Sequence, residues 1–351
     1  MLESVWRALF RQQSRPNPFL SYEWVRLFCE SYAAPESISF WCYERDGNVV
    51  AIAPLQRHGA RLSLLHNLEV NDYCGVLTAA ADTIVAERFV TDIARICRGG
   101  FYLPLLREDD AFNRELAAAI ARRGGNFATY PYTVNPYVDL PAQGGDIMAS
   151  RPKRLRQEIR TTINHLNRMG QWHYEAHSGG TEAQEVLEAL RAFHLSRQEG
   201  KHGTSIFQNA RHAAFLGSII GRMEPEVQTH LSALRLDGRI VSAAYSLIAG
   251  DTLYYWVPSF DHLLPSVSLG KLQIAEVMRD CAGRGIARFD FMGGEEAYKF
   301  QWASAQVALQ EHILYPDALR RSVDRARRSL RTVMRDAVHR HPVFARLVRW
   351  G

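Results

Sequence analysis

No apolar run in this sequence approaches the roughly 18–20 residues that cross a bilayer. The N-terminal stretch MLESVWRALFRQQ breaks its apolar residues with Glu3, Arg7 and Arg11 and has no small-residue cleavage site, so it does not read as a signal peptide. Cytoplasmic residence is the expectation. The five cysteines, Cys29, Cys42, Cys74, Cys97 and Cys281, are scattered, with no CxxC pair and no zinc-like spacing to histidine. They read as buried free thiols, and no metal is expected. No internal repeat is visible. A composition that is 47% hydrophobic and 23% charged leaves no room for extensive disorder.

What is present is enough chain, 351 residues, for two domains of similar size. The net charge of +5 is not spread over it: residues 317–351 hold ten Arg against three Asp, so the rest is nearly neutral. A near-neutral body argues against a nucleic-acid partner, which needs a broad basic face. In the tail, Leu319, Val323, Ala326, Leu330, Met334 and Ala337 recur at helical spacing with Arg on the other face. Such a helix lies on anionic lipid, contacts a polyanion, or docks on its own protein.

Along the body, Ser21 caps a helix carrying Trp24, Leu27 and Phe28, and residues 38–57 read as a hairpin turning at Asp46-Gly47. Strands are expected at 61–67, 72–78, 101–106 and 130–140, with helices at about 82–98 and 110–123 between them. The small residues and prolines of 140–150 mark a boundary. Beyond it, Leu155, Ile159, Ile163 and Leu166 stripe a helix that stops at Gly170. A strand, two helices (181–199, 209–223), three antiparallel strands, a helix at about 269–284 and two further strands complete the order. Alternation of this kind predicts mixed α+β layering.

Three stretches could carry chemistry. Residues 265–278 (PSVSLGKLQIAEVM) bring a strand through small residues into a helix start, where Ser268, Leu269, Gly270 and Lys271 offer N–H groups and charge to a pyrophosphate such as that of coenzyme A; an ordinary capped helix explains them equally. In FDFMGGEEAYKFQWA (289–303) the glycines end a strand and put carboxylates on a loop ahead of Tyr298, Lys299 and Trp302. Asp290 or Glu296 suits a general base, and Tyr298 or Lys299 suits a donor to an oxyanion or leaving group; helix capping competes with that reading. In AFHLSRQEGKHGTSIF (192–207), His194 and Arg197 share a helix face near Lys201 and His202 and suit an anionic acceptor or a base; a satisfied core histidine explains His194 at least as well.

Four segments resemble the CelD-like branch of the GNAT acyltransferase superfamily, named from cellulose and exopolysaccharide gene clusters: RLRQEIRTTINHLNRMG, FHLSRQEGKHGTSIF, the meander ending in YYWVPSFD, and FDFMGGEEAYKFQWA. NPFLSYEWV, GNVVAIAPL and DYCGVL extend the resemblance through the first half, to roughly 17–316 in all. The resemblance implies two tandem GNAT-like units related to the Fem transferases, spanning 1–145 and 146–316, each a mixed, mainly antiparallel sheet flanked by helices. Residues 317–351 then form a basic helical tail.

It also implies acetyl-CoA or another acyl-CoA as donor, with Tyr255 and Val257 flanking the pantetheine arm and the helix start at 266–271 on the pyrophosphate. The usual phosphate loop, Arg/Gln-x-x-Gly-x-Gly/Ala, is replaced by Pro265, Ser268 and Gly270, of which only the last is standard. The acceptor expected is a small amine or hydroxyl compound or a saccharide, held near His194, Arg197 and Trp302. Fem-type relatives use aminoacyl-tRNA, which stays open as an alternative donor. A non-catalytic partner of a membrane polysaccharide assembly, held at the inner membrane face by the tail, is the third reading.

Overall fold

The computed structural model describes residues 2–141, 145–198, 205–223, 225–264 and 267–340. Helices α1 (Leu2–Arg11) and α2 (Tyr22–Tyr32) precede strands β1 (Ile38–Arg45), β2 (Asn48–His58), β3 (Arg61–Leu64) and β4 (Leu77–Thr78). Then come α3 (Thr83–Ile96), β5 (Phe101–Arg107), α4 (Ala111–Arg123) and β6 (Phe127–Asp139). The second half runs α5 (Lys153–Met169), β7 (Trp172–His177), α6 (Gly180–Gln198), α7 (Ala210–Ile219), β8 (Val227–Leu236), β9 (Arg239–Ala249) and β10 (Thr252–Phe260). It ends with α8 (Leu269–Gly283), β11 (Arg288–Asp290), α9 (Ala297–Phe300), β12 (Ala305–Leu314) and α10 (Ala318–Arg340).

The architecture is the expected mixed α+β, and local chemistry explains its elements. Ser21 caps α2 through Trp24 N–H, and Asp46 and Gly47 adopt the positive φ angles of 52° and 75° that the β1–β2 turn requires. In α5, Leu155, Ile159 and Leu166 are buried and Gly170 ends the helix. One expectation changes: of residues 72–78, only Leu77–Thr78 are strand. The chain at 72–76 is instead a loop tied down by Cys74 N–H donating to the Leu105 carbonyl, 3.2 Å away. Leu105 itself sits at φ 56°, an unusual angle for a non-glycine residue.

The twelve strands of the described residues join one sheet, in the order β1-β2-β3-β5-β12-β6-β11-β10-β9-β8-β7, with β4 paired to β2. Among the described residues, only β3·β5 and β10·β11 are parallel. The two halves have the same succession: three antiparallel strands, a helix, a parallel strand, a helix and a last strand. Each last strand lies beside the other half. β12 pairs with β5 and β6, and β6 pairs with β11 and β12.

Buried clusters cover both faces of this sheet. Along β10, Tyr254 belongs to one cluster and Tyr255 to the other, as strand alternation requires. The alternation fails at Trp256, the extra residue of a bulge, so that Trp256 and Val257 both face the side of Tyr254.

Exchanged last strands make each half incomplete by itself, because β5 and β11 would present bare edges. Residues 1–145 and 146–351 produced separately should each aggregate or lack cooperative unfolding, and mixing during refolding should restore a one-to-one complex. Circular dichroism melts and size exclusion check this.

Candidate active site

β10 and β11 pair only over Thr252–Tyr254 and Arg288–Asp290. Beyond Asp290 the chain stays with β6: Phe291 N–H donates to the Pro136 carbonyl at 3.0 Å and Gly294 N–H to Val134 at 2.9 Å. β10 continues with β9. The strands therefore diverge, and the gap between 255–260 and 291–294 opens the sheet beneath α9.

Asp290 holds the apex of this gap. It is fully buried, at 0% exposure. Its Oδ1 accepts from the Tyr73 hydroxyl at 2.7 Å and Met292 N–H at 2.7 Å; its Oδ2 accepts from Arg107 Nη1 at 2.9 Å and Asn135 Nδ2 at 3.0 Å. The bond to Met292 braces that residue at φ 61°. Burial and the Asp290 charge push the Tyr73 hydroxyl well above its usual range, so it stays a donor. Asp290 was expected as a candidate base, and the geometry corrects this: four donors occupy its oxygens and it faces neither cavity described below.

The loop after β11 lines a cleft of about 430 Å3 with Glu69, Asp72, His194, Trp256, Val257, Tyr298 and Lys299. Lys299 is 4% exposed, and its ammonium donates to the Gly293 carbonyl at 2.7 Å and pairs with Glu296 at 3.0 Å. Glu296 stands at the N-cap position of α9 yet makes no side-chain cap bond, its carboxylate going to Lys299. Gly294, at φ 130°, allows this closure: a Cβ there would collide with Glu296 Oε2 and come within 2.9 Å of Lys299 Nζ.

Asp72 is the residue that reading the sequence missed. It is half-buried beside Gly293, and burial raises its carboxyl from 3.8 to about 7; Lys299 opposes the shift, while Asp290 and Glu296 add to it. Its signal in the sequence, Asn71-Asp72 at the head of an apolar stretch, was absorbed into the expected strand.

His194 also lines this cleft, its Nδ1 2.7 Å from Ser205 Oγ and its ring edge-on to Phe207. The Arg197 side chain and all of Lys201 and His202 lie outside the described residues. Trp302 was expected near the acceptor, but its ring is 1% exposed in the core, below the cleft.

A second cavity of about 380 Å3 lies between β10 and α8, lined by Tyr255, Pro258, Phe260, Val267, Ser268, Gly270, Lys271, Ile274 and Tyr298. Val257 faces the cleft rather than this cavity, and Leu269 is buried in the core. The expected anion site at the α8 start is partly spoken for. Ser268 N–H donates to Thr162 Oγ1 at 3.0 Å, and Lys271 is paired with Glu158. Pro265 lies outside the described residues. Gly270 N–H remains as a first-turn donor on the cavity wall.

No group of three or more metal-ligating side chains occurs among the described residues. None of the described helices is long and apolar enough to cross a membrane.

With this geometry, the chain compares with known proteins as follows. Residues 153–300 match the family model described as an acetyltransferase (GNAT) domain. No curated protein sequence matches the chain. Among solved structures, a conserved protein of unknown function from Bacteroides thetaiotaomicron superposes with a TM-score of 0.61 at 13% identity, covering 89% of this chain and 96% of that one. FemX superposes at 0.62 with 10% identity, over 90% and 96%. The C-terminal domain assigned to a lysylphosphatidylglycerol synthetase from Agrobacterium fabrum gives 0.59 at 12%, over 92% and 93%. These structures share the fold. The match over 153–300 likens this part of the second half to a GNAT acetyltransferase domain and supports an acyltransferase.

Breaking a buried ion pair from one side costs about 3–5 kcal/mol. Asp290→Asn, which leaves the buried Arg107 guanidinium paired with Asp109 alone and turns the acceptor of Tyr73, Met292 and Asn135 into an amide, should lose stability toward the lower end of that range by urea denaturation. A change below about 1 kcal/mol would contradict the structural part given to Asp290.

Proposed function

We propose that the protein transfers an acyl group directly from a coenzyme A thioester to an amine or hydroxyl of a saccharide or envelope precursor, with Asp72 as the proton acceptor. One observation carries this reading: Pro258 and Tyr298 line both cavities, so the apolar one ends where the Asp72 cleft begins. The thioester supplies an activated carbonyl, and everything else falls to the chain. Tyr255, Pro258, Phe260 and Ile274 offer an apolar bed for the pantetheine arm, and the unpaired edge of β10 past Tyr254 offers its amides. Gly270 N–H faces the phosphate end. Lys271 joins it only by leaving Glu158.

In the cleft, the nucleophile's proton goes to Asp72 as the new C–N or C–O bond forms. The C–S bond then breaks, and the leaving sulfur takes a proton from Tyr298 or solvent. A carboxyl near 7 is matched to this work at neutral pH. An ammonium has three N–H donors, of which Gly293 and Glu296 take two from Lys299. The third serves to orient the acceptor. Saccharide acceptors follow the resemblance of 289–302 to the CelD-like branch, and a coenzyme A donor implies the cytoplasm. Binding of acetyl-CoA or a longer acyl-CoA by calorimetry, with turnover, tests the donor; turnover with charged tRNA and none with any acyl-CoA overturns it.

Asp72→Asn should lower kcat/KM by about 10²–10⁴-fold and remove a limb that rises with pH through about 7 in the parent protein. Folding has the opposite pH dependence. A carboxyl raised in the folded state favours folding while protonated, so its contribution is lost as pH rises from about 4 through about 7. The Asn variant should therefore melt higher than the parent above neutrality. An unchanged pH limb would remove Asp72 from the role of base.

Glu158→Gln, which releases Lys271, should lower the donor KM several-fold with kcat unchanged. A raised KM would mean that the Glu158–Lys271 pair shapes the donor site.

A further inference from the structure

Surface helices of globular proteins turn their apolar stripe to the core and their charges to water. α10 does the reverse. At 100° per residue, Leu319, Val323, Leu330 and Val333 fall within about 80° of one another, and they are exposed by 73%, 42%, 60% and 64%. The side that meets the protein is polar: Arg321, Asp324 and Arg328 are half-buried, while their described helix neighbours from Ala318 to Leu330 are exposed. Arg321 donates to the Gly125 carbonyl at 2.5 Å, Asp324 accepts from the Tyr315 hydroxyl, and Arg328 pairs with Glu311 and lies over the Tyr130 ring at 4.2 Å. These contacts fix the helix by its charged face and leave the apolar one exposed, with Leu319 and Val323 along a cavity of about 590 Å3 that Arg61 and Tyr102 also line, and Leu330 and Val333 beyond it. Arg320, Arg327 and Arg331 flank that outward face and are exposed.

We propose that α10 docks the protein on the surface of an anionic phospholipid bilayer, lying in the interface plane with Leu319, Val323, Leu330 and Val333 below the headgroups and Arg320, Arg327 and Arg331 on their phosphates. The charge pattern selects this occupant. A second copy of the chain, packed across a two-fold axis, would bring the same arginines against one another. A nucleic acid would meet the arginines but has no use for the apolar residues between them. A bilayer surface satisfies both together. The inference stands independently of which donor or acceptor the active site takes.

The full chain should co-sediment with vesicles of equal parts phosphatidylcholine and phosphatidylglycerol, and not with phosphatidylcholine alone. Leu330→Glu/Val333→Glu should weaken that binding by about tenfold or more, and Arg327→Glu/Arg331→Glu by a similar factor, with melting temperature and acyl-transfer activity in solution unchanged in both. Binding that ignores lipid charge, or that survives Leu330→Glu/Val333→Glu, overturns the proposal. So does a dimer in light scattering that this pair of substitutions dissolves, which would make the face a contact between copies. Duplex DNA that displaces the vesicles and still binds Leu330→Glu/Val333→Glu also overturns it, in favour of a polyanion.

Discussion

The carboxylate of Asp290 gathers four donors, three of them far away in sequence: Tyr73 from a loop, Arg107 from β5 and Asn135 from β6, with Met292 from the loop that follows it. A charge so deeply buried is tolerable only when each oxygen is satisfied. Satisfying it fixes where three parts of the first half meet the second. It also fixes Met292 at its positive φ, and with that the direction in which Gly293 and Gly294 leave the sheet. The cleft exists because β11 cannot follow β10 past this point.

The exchange of last strands enforces the same constraint at larger scale. β6 brings Asn135 beside Asp290 while pairing with β11, and β12 closes the sheet on the side of the first half. Neither unit can therefore drift relative to the other without breaking ladder hydrogen bonds. Asp72 comes from the first half and Lys299 from the second, yet they share a cleft with Glu296 and Tyr298. A site assembled from both halves needs a rigid junction, and a continuous sheet is stiffer than two domains resting face to face.

Much of this fold was legible residue by residue. The Asp46-Gly47 turn, the α5 stripe and its end at Gly170, and the strand–glycine–carboxylate order of 289–296 all follow from local chemistry that survives in the structure. Tyr255, Ser268, Gly270 and Lys271 do line one cavity, and Glu296, Tyr298, Lys299 and His194 do line the other. What was not legible is long-range. Nothing near Asp290 in sequence announces Tyr73 or Arg107, and nothing near Lys271 announces Glu158. The strand exchange leaves no local trace either, because each strand has the same periodicity whichever neighbour it pairs with. Trp302 misled for a related reason: an aromatic beside a charged loop reads as a ligand contact until packing shows that it is core.

Asp72 and Asp290 show how far environment outweighs residue type. Both are aspartates near one cation apiece and near each other. Asp290 meets Arg107 and three further donors at hydrogen-bonding distance, so its oxygens are committed to the fold. Asp72 lies at the wall of an open cleft, where burial, Asp290 and Glu296 outweigh Lys299 and lift its carboxyl to about 7. Each charge shapes the other: the fixed negative charge of Asp290 is among the causes that raise Asp72. A pair of like groups driven apart in this way divides structural from chemical work. By this logic the FDFMGGEEAYKFQW segment builds the cleft's frame and its cation, while the proton acceptor we propose, Asp72, comes from the opposite half of the chain.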